Sequence, residues 1–153
     1  MFSLDNRIAR NNNLNMFKSE NLILLAGVGQ LCVVLCSLAI PRLLDWPGQL
    51  RRLEPLTRQV FWTYAGYILA TNLFFATVSM FASRPLAGHS PLAAALTTFM
   101  ALYWGGRLAI QFLFFHRSGA ADTLLFRAAE VLYVGGFLFF TAVYGYAALV
   151  NWR

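Results

Sequence analysis

Charge is scarce in this chain. Only 12% of its 153 residues are charged, with six acidic side chains, two histidines and two cysteines. A soluble domain carries roughly 25% charged residues, so about half the usual solubilising charge is missing. The shortage of histidine excludes a haem held between two facing imidazoles, because His89 and His116 fall on opposite membrane sides in the topology derived below. It also leaves no Glu-x-x-His pair for a di-iron centre and no ligand set for zinc, so neither metal nor cofactor is expected. Cys32 and Cys36 are spaced C-x-x-x-C, where a redox pair would read C-x-x-C. Gly29, Cys32, Cys36 and Ala39 form one small-residue stripe, for which helix packing is the expected role. No phosphate-binding loop, dinucleotide glycine pattern or nucleophile elbow occurs, and no catalytic residue is assigned.

What the chain does have is apolar. It is 59% hydrophobic and 16% aromatic, and its mean hydropathy is +0.58. The apolar residues form four blocks, at about 22–44, 60–82, 92–115 and 124–150. Each exceeds the roughly 20 residues a helix needs to cross a ~30 Å hydrocarbon layer. Backbone in lipid must satisfy its own polar groups, so runs of this length are helical. The expected fold is all-α: a four-helix transmembrane bundle with antiparallel, up-down topology. Residues 1–21 read as a polar, asparagine-rich tail, mobile or lying on the surface, and residues 22–153 as the four-span domain. Ser37-Leu38-Ala39 resembles a signal-peptidase site, but the apolar run before it is too long for a signal peptide, so the segment reads as a span.

The loops carry suitable punctuation. Pro41 and the Trp46-Pro47-Gly48 turn are expected to end the first span, with Trp46 at headgroup depth. Ser90 and Pro91 read as N-cap and first residue of the third span, and Asp122 as cap of the fourth, after a break at Ser118-Gly119. Trp152 would anchor the far end. Basic residues divide almost evenly between the sides: Arg7, Arg10, Lys18, Arg84 and Arg153 against Arg42, Arg51, Arg52, Arg58, Arg117 and Arg127. The dense cluster in DWPGQLRRLEPLTRQ tips the first and third loops towards the cytoplasm. The net charge of +6 sits at membrane ends, where anionic headgroups are its partners; nucleic acid is not expected.

One charge lies inside an apolar block. In YWGGRLAIQ, Arg107 is nine positions before His116, roughly 13 Å from the loop. Thr97, Met100, Trp104, Arg107, Gln111 and Phe114 share one helix side, and Ala94, Thr98, Ala101, Gly105 and Ala109 the opposite one. With both faces occupied, this helix is expected to be central, without a face for lipid. A charge in hydrocarbon is costly, somewhere from ~3 to above 10 kcal/mol, so Arg107 needs company. The candidate cluster is Arg107, Gln111 and Glu130, with Asn72 and Tyr133 behind them. Two roles compete: a structural clamp between Arg107 and Glu130, with Arg127 as a local alternative partner of that carboxylate, or a site for an anionic or carbonyl-bearing lipophile such as a quinone or lipid. Gly105, Gly106, Gly135 and Gly136 come out at similar depth and are expected to form a shared packing patch.

The runs LTRQVFWTYAGYI, YWGGRLAIQF and TAVYGYAA resemble small four-span bacterial membrane proteins that carry no known activity. The resemblance spans residue 22 onward and implies a bacterial cytoplasmic membrane. DoxX-like proteins and the eicosanoid and glutathione membrane enzymes share size and span count, but the arginine- and glutamate-rich motif of the glutathione-binding members is missing. The leading expectation is therefore a non-catalytic accessory or scaffold protein that packs with another membrane protein or with itself. The alternative is a quinone- or lipid-binding protein or enzyme subunit built on the Arg107 cluster.

Overall fold

A computed structural model of the chain describes residues 2–114 and 124–153, with side chains over residues 16–113 and 130–153. Among these residues every regular element is a helix. Four helices are long: α1 (Phe2–Leu43), α3 (Pro55–Phe81), α5 (Pro91–Phe114) and α6 (Leu124–Asn151). Two are short connectors, α2 (Trp46–Leu50) and α4 (Ser83–Leu86). By length and composition, three segments are able to cross a membrane: Met16–Leu43, Pro55–Phe81 and Glu130–Asn151. That is the architecture of a membrane protein. Helix α5 is long enough, but Arg107, Gln111 and two glycines dilute its hydropathy and keep it out of that group.

The first span differs in its limits from the sequence reading. Helix α1 begins at Phe2 and runs through the three consecutive asparagines, so the polar segment is helical and continuous with the span. Asparagine is a poor helix former but not a breaker, and no proline or glycine occurs before Gly27. Pro41 does not end the helix either; it lies within the last turn, and the helix continues to Leu43. The Trp46-Pro47-Gly48 segment is a helical turn rather than an open loop. Asp45 caps it from a left-handed conformation (φ 45°, ψ 47°), its Oδ1 accepting the Gly48 N–H at 3.3 Å. A Cβ at Gly48 would collide with that carboxylate, so the cap requires glycine. Helix α5 begins as the sequence suggests, with Pro91 first and the Ala93 N–H donating to Ser90 Oγ at 3.1 Å. Asp122 and the Ser118-Gly119 break lie outside the described residues.

Helix α5 packs most extensively on α6, and α1 on α3; α1 also touches α6. The core between them holds Ile23, Phe75, Met100, Trp104, Phe140 and Tyr144. The opposite faces are apolar and exposed, as helices bathed in lipid require. Helix α5 keeps such a face too, through Leu92, Phe99, Leu102 and Leu113. It is not the fully enclosed helix expected from its two patterned stripes. Cys32 and Cys36 are likewise exposed, so packing within the chain does not account for them.

Hydroxyl groups follow the same solvent logic. Thr63, Thr71 and Thr77 of α3 each donate to the carbonyl four residues earlier, at 2.9, 2.8 and 2.8 Å. A threonine facing hydrocarbon has no water to bond, and its own helix supplies the acceptor.

Candidate functional site

Arg107 is half-buried on α5, seven residues from Phe114 and so about 10 Å from the helix end. Its guanidinium carbon lies 5.5 Å from the centroid of the Phe137 ring on α6. Tyr133 meets the same ring edge-on at 5.7 Å. On its other side Phe137 touches Trp104 at 5.4 Å, and Trp104 touches Phe140 at 4.8 Å and Tyr103 at 5.3 Å. Tyr103 then crosses to α3, packing edge-on against Phe75 at 5.1 Å and donating its hydroxyl to Asn72 Oδ1 at 2.8 Å. An aromatic chain therefore connects Asn72 on α3, through α5, to Tyr133 on α6.

Two of the expected members, Asn72 and Tyr133, join this arrangement. Asn72 is buried and reaches Arg107's helix through Tyr103; Tyr133 shares the Phe137 ring; Gln111 is half-buried one turn beyond Arg107. Glu130 is half-buried and not free. An ion pair lies elsewhere, between Arg84 Nε and Glu20 Oε2 at 3.8 Å. Arg127 falls outside the residues with described side chains. The anticipated glycine patch reduces, within one chain, to Gly105, where an added Cβ would lie 3.6 Å from Thr141 Cγ2. Nothing stands within 4 Å of such an atom at Gly106 or Gly135, and at Gly136 it would meet Phe140 of its own helix.

Trp104 carries a buried donor. Its indole N–H is fully buried and has no hydrogen-bond partner, although buried indoles normally find one. The guanidinium one turn later rests on an aromatic face, a contact worth about 0.5–2 kcal/mol. That recovers only part of the ~3 to 10 kcal/mol cost of a charge in hydrocarbon. What this region can do chemically is accept an oxygen: a carbonyl, carboxylate or phosphate.

A second buried polar cluster escaped the sequence reading. Gln30 Nε2 on α1 donates to the Tyr144 hydroxyl on α6 at 2.9 Å, and that hydroxyl lies 2.6 Å from Ser79 Oγ on α3. All three side chains are 0% exposed. Gln30 donates into the phenol oxygen, and either hydroxyl of the Tyr144–Ser79 pair is able to donate to the other. At the end of α6, Asn151 Nδ2 donates to Leu86 O at 2.8 Å, while its Oδ1 accepts the His89 N–H at 3.2 Å. The available signal was the presence of Gln, Ser and Asn inside apolar blocks; the pairing was not readable. Among the described residues no group of three or more His, Cys, Asp or Glu side chains is placed to hold a metal.

No protein-family model, curated protein or solved structure matches this chain. The functional reading therefore rests on the geometry alone.

Proposed function

We propose that this chain is a four-span integral membrane protein that binds the oxygen-bearing head of a lipophilic molecule, a quinone or a lipid, beside Arg107. In this reading α5 is the fourth membrane-crossing helix, tolerated in lipid because α6 covers its polar side. Arg107 is the anchoring donor, Gln111 the neighbouring polar group, and Tyr103 with Asn72 fixes the aromatic wall. The observation that carries the reading is the position of Arg107: a half-buried guanidinium at membrane depth whose described neighbour is the Phe137 ring. Intramembrane cations of this kind mark ligand or ion sites by default. The test is native mass spectrometry of protein extracted in mild detergent. The wild type should retain a lipophile of defined mass, and Arg107→Ala should lose most of it, with Arg107→Lys intermediate because it keeps charge but not the planar fork. Equal occupancy in wild type and Arg107→Ala would dismiss the site.

An accessory or scaffold role, through packing with a second copy or another membrane protein, is the second reading. It is favoured by Gly106 and Gly135, which are exposed and have free space where a side chain would stand. Small residues of this kind allow another helix backbone to approach closely in lipid.

A further inference from the structure

The segment joining α1 to α3 carries a different kind of surface. Trp46 of α2 packs edge-on against Phe61 at 4.9 Å (82°) and against Trp62 at 5.9 Å (65°); Phe61 and Trp62 stand 6.2 Å apart. Phe61 is six residues into α3, about 9 Å below its start, where the aromatic belt of a membrane protein lies. Arg58 is three and four residues before Phe61 and Trp62, on the same helix face and nearer the water. Arg51 and Arg52 are exposed on the turn after α2. Arg52, with Asp45, Gly48 and Gln49, borders an open concavity of about 520 Å³.

Two of the side chains bordering that concavity make hydrogen bonds of their own. Asp45 Oδ1 takes the Gly48 N–H, and Gln49 Nε2 donates to Leu44 O at 2.8 Å. The arginines are not so engaged. Arg42, Arg51, Arg52 and Arg58 form no ion pair among the described residues. Exposed Leu43, Leu53 and Leu56 continue the apolar surface around them. Exposed arginines on the turn and first helical turns beside an aromatic step with apolar flanks match one chemistry: a phosphate head joined to acyl chains.

We infer that this face is a headgroup site for an anionic phospholipid, with Arg52 and Arg58 holding the phosphate and the chains descending beside Trp46, Phe61 and Trp62. Net positive charge in the segment selects anionic over zwitterionic lipid. The site is remote in sequence from Arg107 and shares with that reading only the premise of a membrane setting, so either survives failure of the other.

The full-length protein, delipidated in detergent, is titrated with dioleoylphosphatidylglycerol or dioleoylphosphatidylcholine, and retained lipid is read by native mass spectrometry. The wild type should prefer phosphatidylglycerol by on the order of tenfold. R52Q/R58Q should abolish the preference, while R84Q, on the opposite side, should leave it intact. Both arginines are exposed, so folding should persist; circular dichroism checks it, and the single variants, each lowering the preference several-fold, replace the double variant if it unfolds. Soluble glycerol phosphate at matched concentration should not displace the lipid. Equal retention of the two lipids by the wild type, a preference that survives R52Q/R58Q, an equal loss in R84Q, or displacement by glycerol phosphate would each overturn the assignment.

Discussion

At Tyr144 a single phenol oxygen receives the Gln30 amide and shares a proton with Ser79, joining three helices in a place water does not reach. Interhelical hydrogen bonds in membranes average about 0.6 and reach about 1.7 kcal/mol each, because the unfolded chain in lipid finds other partners. Tyr144→Phe removes both bonds and keeps the ring, so it should cost about 1–3 kcal/mol. The measurement is thermal unfolding in detergent, with Tyr146→Phe on the exposed side as the unchanged control. Identical melting of Tyr144→Phe and wild type would mean that the triad contributes no stability. The triad was not legible from sequence for a plain reason: its members are 114 and 65 residues apart, and nothing local marks them as partners. Arg107 was legible, because a charge inside an apolar block needs only its neighbours in sequence to stand out.

At the scale of elements, glycines record where helices meet. A Cβ at Gly27 of α1 would lie 2.9 Å from Ser79 Cβ and 3.0 Å from the Met80 backbone nitrogen of α3. The backbone atom is unable to move aside, so Gly27→Leu should force α1 and α3 apart and cost about 1–3 kcal/mol or more. Gly66→Leu is the matched control, since nothing lies within 4 Å of that position; it should be neutral or slightly stabilising. Fluorescence-detected size exclusion before and after heating separates the two outcomes, and equal behaviour would remove the α1–α3 crossing from the account. Helix limits were largely legible at this scale: Ser90 and Pro91 begin α5 as their chemistry suggests. The limits of α1 were not, because a proline in the last turn and a polar first half each permit a helix that neither demands.

For the molecule as a whole, the open question is what covers its outer surface. Gly106 and Gly135 meet none of the described residues, so Gly106→Leu/Gly135→Leu should leave the monomer folded. If they serve contact between chains, light scattering in mild detergent should find the wild type associated, with itself or with a co-purifying protein, and the double variant alone. A wild type that runs as a solitary monomer from native membranes would end the accessory reading while leaving Arg107 untouched.

The sequence by itself determined the apolar medium and the helical character of the long runs. Low charge and apolar runs of more than 20 residues admit few arrangements, and hydrogen bonding in lipid makes those runs helical. It also exposed Arg107, because the cost of an ion in hydrocarbon is a local property. Only the tertiary structure decided who meets whom: that the guanidinium rests on Phe137, that Asn72 reaches α5 through Tyr103, that Tyr144 unites α1, α3 and α6, and that Gly105 packs while Gly106 does not among the described residues. The physical reason is that a helix presents several faces of similar polarity in lipid, and which of them is buried depends on how neighbouring helices fit.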